Sequence, residues 1–426
     1  MRASQLISKI ESGDLDAKLK AVYVSDEAVE LQKPRYVALA KKFIKRFGND
    51  RDVYVLSAPG RTEVCGNHTD HNHGKVLAAS INLDAIAIAA KNNDNFVREK
   101  SDGHPLNCVE LSDLAPNKNK FGHSTALVKG VVSRFNDLGY NIGGFDACTT
   151  SDVMAGSGLS SSAAFEVLLG TIVNYLYNDG KIDPVTIAKV AQYSENVFFG
   201  KPCGLLDQMA SSVGTFVTID FKNIDEPVIN KVDFDFSKSG YSLCIVDTHG
   251  NHSDLTDDYA SIRTEMESVA NALGYSVLRD AGEELFMQKL PQLVGKVSDR
   301  ALVRANHFFN ENIRVEKAVK ALENNDFEAF KNIITDSGNS SYMYCQNIYS
   351  TKKPNDQKLA LAICLSKEIV GDRGAVRVHG GGFAGTIQAF VPNDLLCEYQ
   401  KTIDSVFGDG SCHILIIRPV GGTRVI

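Results

Sequence analysis

The stretch Ala155-Gly156-Ser157-Gly158-Leu159-Ser160-Ser161-Ser162-Ala163 most narrows what this chain can fold into. Phe165, Leu168, Leu169, Ile172 and Leu176 follow it at three- and four-residue intervals, the spacing of one buried helical face. Residues 144–150 before it are rich in strand formers, so the local unit reads strand, tight glycine loop, helix. Such a unit suits an anion, because a helix N-terminus leaves backbone N–H groups unpaired and carries about half a positive charge. Glycines let a ligand approach that backbone, and serine hydroxyls can bond phosphate oxygens or join the oxygen shell of Mg²⁺. No Lys-Ser or Lys-Thr follows the glycines, as a P-loop requires, and Ser161 stands where a dinucleotide fingerprint has its third glycine. The plain alternative is a serine-capped helix after a glycine turn.

At 426 residues the chain is too long for one ordinary core, and two domains are expected, with a composition shift over residues 221–240 as the candidate boundary. A formal charge of −7 argues against a nucleic-acid footprint. The nine cysteines are scattered without zinc-type spacing, and neither a secretory signal nor an uncharged bilayer-length stretch is present, so a cytoplasmic protein with reduced thiols and no membrane contact is expected.

In chain order, residues 26–47 read as a helix and residues 53–60 as a strand ending in a Pro-Gly turn. The polar run 61–74 reads as non-core, and residues 76–90 as one or two well-buried strands. Helices are expected over 125–138 and 184–199, then a glycine loop over 201–209 holding Asp207, and strands over 213–220 and 241–247. Residues 259–370 are mainly helical, and a second glycine loop, 377–385, feeds a strand.

Two chemistries compete for the polar stretches. His68, Asp70, His71 and His73, with a second group of Asp247, His249, His252 and Asp254, carry donor types that hold Zn²⁺ in a metallohydrolase. A phosphotransferase uses more of the chain. It takes residues 156–162 as the phosphate cradle, Glu195 as the carboxylate for a divalent ion and Arg61 as the cation near the moving phosphate. Asp207 then stands beside the acceptor hydroxyl, and His68 and Asp70 offer sugar-type hydrogen bonds.

Gly60-Arg61, followed by Gly66-Asn67-His68-Thr69-Asp70-His71-Asn72, resembles the galactokinase signature Gly-Arg-Val-Asn-Leu-Ile-Gly-Glu-His-Thr-Asp-Tyr-Asn. Gly156 to Ala163 resembles the ATP motif of the GHMP kinases, Cys203-Gly204-Leu205-Leu206-Asp207-Gln208 the galactokinase Cys-Gly-Ile-Met-Asp-Gln, and Gly380 to Gly385 the third GHMP motif. The resemblance spans about residues 50–426 and implies the two-domain α+β GHMP kinase architecture, with the active site in the interdomain cleft. It implies an N-terminal domain over 51–225 and a C-terminal domain over 226–426, and the helix-prone residues 1–50 ahead of it read as a helical extension. The implied activity is an ATP-dependent sugar 1-kinase, most simply of galactose, as a monomer or small homo-oligomer.

By the same resemblance Asp207 and Arg61 are catalytic, and Asn67, His68, Asp70, Gly204 and Tyr259 contact the sugar. Gly156, Ser157, Gly158, Leu159, Ser160 and Ser161 hold ATP, and Ser162 and Glu195 hold Mg²⁺. Several positions depart from the pattern. Asn67 replaces the family glutamate that accepts a hydrogen bond from the sugar's 6-hydroxyl, His71 replaces a tyrosine, and His379 and Ala384 replace threonine and glycine. A neutral amide at 67 tolerates a C6 carboxylate or a missing C6, which keeps galacturonate and arabinose open beside galactose. N-acetylgalactosamine, or a non-catalytic sugar sensor on the same fold, completes the alternatives.

Overall fold

The computed structural model describes residues 1–154, 158–250 and 255–426. Strands β1 (Tyr54–Cys65), β2 (Lys75–Lys91), β3 (Phe96–Ser101), β4 (Leu106–Glu110), β5 (Phe145–Ser151), β6 (Phe216–Asp220) and β7 (Val228–Val232) belong to one large sheet. A smaller four-stranded sheet follows, with β8 (Tyr241–Asp247), β9 (Ala375–His379), β10 (Thr386–Pro392) and β11 (Cys412–Leu415) in the order β11-β8-β10-β9. Finally β12 (Thr423–Arg424) returns to pair with β1 at the edge of the large sheet.

The apolar run expected as one or two strands is the single long strand β2. Its second half pairs with β5 and its first half with β6, so one strand spans both parts of the sheet. Alternation sends Ile86, Ile88 and Ala90 to one face and Ala85, Ala87 and Ala89 to the other. Both faces are covered. Helices α1 (Ala3–Glu11), α2 (Asp16–Tyr23) and α3 (Asp26–Phe47) pack on the first through Leu6, Leu19, Tyr36 and Phe43, which gives the helical extension a structural role. On the other face, α4 (Ser124–Asp137), α5 (Ser161–Tyr177) and α6 (Pro184–Tyr193) pack Val131, Leu168, Ile172 and Val190 against the sheet. The last of these starts as its sequence dictates, with Pro184 at its first turn and the Asp183 carboxylate capping Thr186 N–H at 2.9 Å. After it comes α7 (Leu206–Val213).

Beyond the smaller sheet's first strand, the chain is mostly helical as expected. It runs through α8 (Thr256–Ala272), α9 (Leu278–Ala281), α10 (Glu283–Leu293), α11 (Asp299–Glu323), α12 (Phe327–Ser340) and α13 (Lys358–Val370), with α14 (Leu396–Phe407) near the end. Four expectations change. The polar residues after Pro59 do not leave the strand, since β1 continues to Cys65 with register shifts between Pro59 and Arg61 and between Glu63 and Cys65. Residues 92–120, charged and loop-rich in sequence, contain the β3–β4 hairpin, and residues 228–232, inside the expected boundary, form a strand on β6. Asp207 is not in a loop; it lies in the first turn of α7, where the helix dipole favours a negative charge.

A buried charge locks the extension to the large sheet. Asp84 of β2 is fully buried and accepts from Tyr23 Oη at 2.8 Å, Arg35 Nη1 at 2.5 Å, Arg418 Nη1 at 3.1 Å and the Ser57 hydroxyl. Burial pushes its carboxyl up, but the two guanidinium groups and these bonds hold it below the ordinary range. Asp84→Asn leaves Arg418, itself fully buried, without its counter-charge. The expected loss is about 3–5 kcal/mol of unfolding free energy, read by chemical denaturation.

Candidate active site

Arg61 is the hub. At Gly60 a Cβ would stand 2.8 Å from the Leu159 carbonyl, so only glycine lets β1 pass this close to the loop before α5. One residue on, Arg61 N–H donates to Leu159 O at 3.1 Å and its Nη1 donates to Gly158 O. Its Nε donates to Asp207 Oδ1 at 2.7 Å, and the other Asp207 oxygen accepts from the Ser160 hydroxyl. Ser160 is held in the left-handed region, φ 59°, a conformation that costs a non-glycine residue about 1–2 kcal/mol. Burial pushes the Asp207 carboxyl up, while Arg61's charge and bond and the Ser160 bond outweigh it, so the group sits below the ordinary carboxylate range and is ionised.

Ser161 and Ser162 open α5, whose first N–H groups have no helical partner. Ser162 Oγ lies 3.5 Å from Glu195 Oε1, on the widened turn Ser194–Phe199. Glu195 is 2% exposed and accepts from Lys201 Nζ at 3.0 Å and Gln208 Nε2 at 2.9 Å. Gln208 also reaches the fully buried Glu166 of α5, whose carboxyl is pushed well up by burial and by Glu195. Neither Lys201 nor Glu166 was expected here. Gln208 alone carried a signal, through its motif with Asp207. The Leu159 side chain is core, leaving only its backbone for the loop, and Gly156 and Ser157 lie outside the described residues.

Across Asp207 lies a second polar group. A Cβ on Gly204 would stand 3.0 Å from Asp70 Oδ2. Burial pushes the Asp70 carboxyl up; the negative charges of Glu63 and Asp207 add to this and His68 opposes it. His68 Nε2 donates to Gly381 O at 2.8 Å, Tyr259 Oη donates to Gly382 O at 2.8 Å, and the Tyr259 ring covers Gly381 so closely that a Cβ there would meet it at 2.5 Å. Asn67 does not join this group through its side chain. It is 1% exposed, its amide donates to Glu63 Oε1 at 3.0 Å and Gly380 O at 2.8 Å, and its carbonyl accepts from Asn347 Nδ2 at 2.8 Å. The Ser341 hydroxyl donates to the same carbonyl at 3.4 Å, and this four-way saturation, unlike the motif position that suggested a ligand role, is not visible in the sequence.

The loop bearing these residues is held by α11. Glu311 Oε1 accepts from Gly66 N–H at 3.1 Å, and His307 Nε2 donates to Asn67 O at 3.0 Å while Nδ1 accepts from Ser340 at 2.9 Å. His379 is also internal: Nε2 accepts from Glu63 N–H at 3.3 Å and Nδ1 donates to Thr386 Oγ1 at 2.9 Å, which places the ring beneath Gly158. Among the described residues, no group of three or more His, Cys, Asp or Glu side chains is placed to hold a metal ion. His252 and Asp254 lie outside those residues. Nor is any described helix long and apolar enough to cross a membrane.

Comparison with known proteins gives the arrangement a context. The galactokinase galactose-binding signature matches residues 41–91, and the GHMP kinases N terminal domain matches residues 126–215. A galactokinase of Glaesserella parasuis serovar 5 (strain SH0165) is 32% identical over 374 residues, covering 85% of this chain and 91% of that protein. Another, of Streptomyces coelicolor, is 31% identical and covers 87% and 92%. In structure, Lactococcus lactis galactokinase complexed with galactose matches with TM-score 0.76 at 24% identity over 91% of this chain and 99% of that one. The Methanococcus jannaschii mevalonate kinase matches with TM-score 0.61 at 15% identity, covering 85% and 97%.

Burial makes this site acid-sensitive. The His307 imidazole is pushed down to about 4 by burial, against 6.5 ordinarily, so the folded state takes up its proton later than the unfolded chain. Stability is therefore complete above pH 6.5 and falls as pH drops toward 4, by about 3 kcal/mol over the full interval. Glu311, held at about 2 because His307, Arg314 and Arg377 outweigh its burial, extends the loss below pH 4.5. Urea unfolding between pH 7 and 4 measures this slope, and His307→Gln flattens it.

Proposed function

The chain belongs to the galactokinase family, and on that premise we propose that it transfers the γ-phosphoryl group of ATP to the anomeric hydroxyl of galactose. The observation that carries this reading is the joined set Arg61, Asp207 and Ser160, which ties the N-terminal turns of α5 and α7 together beside Asp70 and Gly204. One side of the set offers unpaired N–H groups and serines to phosphates; the other offers carboxylates to a sugar.

Asp207 accepts the hydrogen bond of the anomeric hydroxyl and orients its oxygen toward the γ-phosphorus. With one oxygen on Arg61 and the other on Ser160, it is a weak base before transfer. The proton therefore moves to it as the new O–P bond forms and the hydroxyl acidifies, while the bond to the β,γ-bridging oxygen breaks and ADP leaves. Arg61, a permanent cation, keeps Asp207 ionised and offsets charge on the moving group. Ser162 and Glu195 present hard oxygen donors suited to Mg²⁺, which when bound neutralises charge on the ATP phosphates.

Asp70, His68 and Tyr259 shape the sugar side, with Gly204 leaving room beside Asp70. In this reading residues 51–225 and 226–426 are the two working halves, linked by β7 and β12, which both return to the large sheet. The nine free thiols suit a cytoplasmic setting.

Coupled ADP detection with galactose, galacturonate, arabinose, N-acetylgalactosamine and glucose tests the reading, and turnover is expected to be highest with galactose. Asp207→Asn lowers kcat by about 10²- to 10⁴-fold with ATP binding retained. Intact nucleotide binding by the wild-type chain without turnover of any sugar would overturn the proposal in favour of a sensor.

A further inference from the structure

The exchange at positions 63 and 67 is reciprocal. The galactokinase signature has asparagine, three residues, then glutamate; this chain has Glu63, three residues, then Asn67. In the structure the two side chains bond to each other, Asn67 Nδ2 to Glu63 Oε1 at 3.0 Å, so the pair is kept and its charge is moved. Asn67 has nothing left to offer a ligand. Glu63 has.

Arg61, Thr62 and Glu63 pair in regular register with Ser80, Ala79 and Ala78, so Arg61 and Glu63 share one face of β1. That face carries Asp207 through Arg61, and the Asp70 carboxyl is near enough to feel the charge of both Glu63 and Asp207. Glu63 Oε1 is taken up by Asn67 and by Arg377 Nη2 at 2.9 Å, and the fully buried Arg377 also clamps the Glu63 carbonyl at 3.1 Å. This clamp fixes the carboxylate. Among the described residues Oε2 accepts no hydrogen bond, and the side chain keeps 12% of its surface open.

We propose that Glu63 is a specificity-determining residue: its Oε2 accepts a hydrogen bond from the sugar hydroxyl that the family reads with glutamate at position 67, the 6-hydroxyl. This rests on the galactokinase reading. It also reverses the expectation drawn from Asn67 alone, because a carboxylate at Glu63 repels a C6 carboxylate and disfavours galacturonate. Arg377 sits on Oε1, so Oε2 remains the negative end of the ion pair.

The test compares kcat/KM for galactose and 6-deoxygalactose on one preparation of the full chain, a ratio independent of the fraction folded. The wild type is expected to prefer galactose by about tenfold or more, the worth of a hydrogen bond to a charged group. Glu63→Asn, whose shorter amide lacks both reach and charge, should bring the ratio to within about threefold. Adding Asn67→Glu should restore it. Glu63→Gln, which keeps an acceptor for Arg377, serves where the asparagine variant does not accumulate, and is expected to raise galacturonate turnover relative to galactose. A wild-type preference under about threefold, or a ratio unchanged in whichever variant folds, overturns the proposal. Absence of any galactose turnover by the wild type instead overturns the underlying kinase reading.

Discussion

Asp84 is the charge on which the large sheet closes. It is fully buried in the middle of β2, and three distant parts of the chain converge on it: Tyr23 and Arg35 from the N-terminal helices, Ser57 from β1, and Arg418 from the chain's return to the large sheet. An isolated carboxylate there would be too costly to keep ionised, so the fold is committed to bringing all of these groups to one place. Its effect reaches the active site through register. Asp84 pairs with Pro59, the last residue of β1 before the register shift that precedes Arg61. Anchoring the strand just ahead of that irregularity fixes where the guanidinium emerges, and the Arg61–Asp207 bond follows from it.

Much of the fold was legible because periodicity survives burial. The helical spacing from Phe165 to Leu176, the apolar run of residues 76–90 and the helix start at Pro184 all express local rules that the tertiary structure does not override. What was not legible has a common cause: polar side chains that satisfy one another at long range. Thr62 and Glu63 look like loop residues, yet they remain in β1 because Gln388, Arg377 and His379, more than 300 positions away, pair with them. Glu166 looks like an exposed helical residue, yet it lies fully buried against Gln208. Asp207 reads as a loop residue and lies instead in a helix, since Pro202, Gly204 and the short span of α7 obscure the helix start.

The site gathers the carboxylates Glu63, Asp70, Glu166, Glu195 and Asp207 in one region. Most are met by a cation or an amide: Asp207 by Arg61, Glu63 by Arg377, Glu195 by Lys201 and by Gln208, which it shares with Glu166. These pairings divide the region into two electrostatic compartments. On the side that the proposed reaction gives to phosphate, Lys201, 63% exposed, and the helix N-termini leave positive potential available to a polyanion. On the side that it gives to the sugar, Asp70 and Glu63 are carboxylates near enough to feel each other's charge. Arg61 stands between the compartments, which is where charge moves during transfer of a phosphoryl group.

The shape of the sugar side is set by backbone rather than by side chains alone. The turn after β9 presents three successive carbonyls, and each takes a proton from a residue that could otherwise face a ligand: Gly380 O from Asn67, Gly381 O from His68 and Asn347, Gly382 O from Tyr259. Gly380 and Gly382 have φ of 69° and 81°, and a Cβ on Gly382 would meet Asn347 O at 2.0 Å, so this turn requires glycine there. A rigid row of acceptors consumes donors and spares carboxylates. The groups it leaves free, Asp70 and the second oxygen of Glu63, are acceptors for the donor hydrogens that a polyhydroxylated ligand supplies. On the proposed reading specificity is built by subtraction: the glycine turn engages the side chains of Asn67, His68 and Tyr259, and the carboxylate at position 63 rather than 67 is the one left to a ligand.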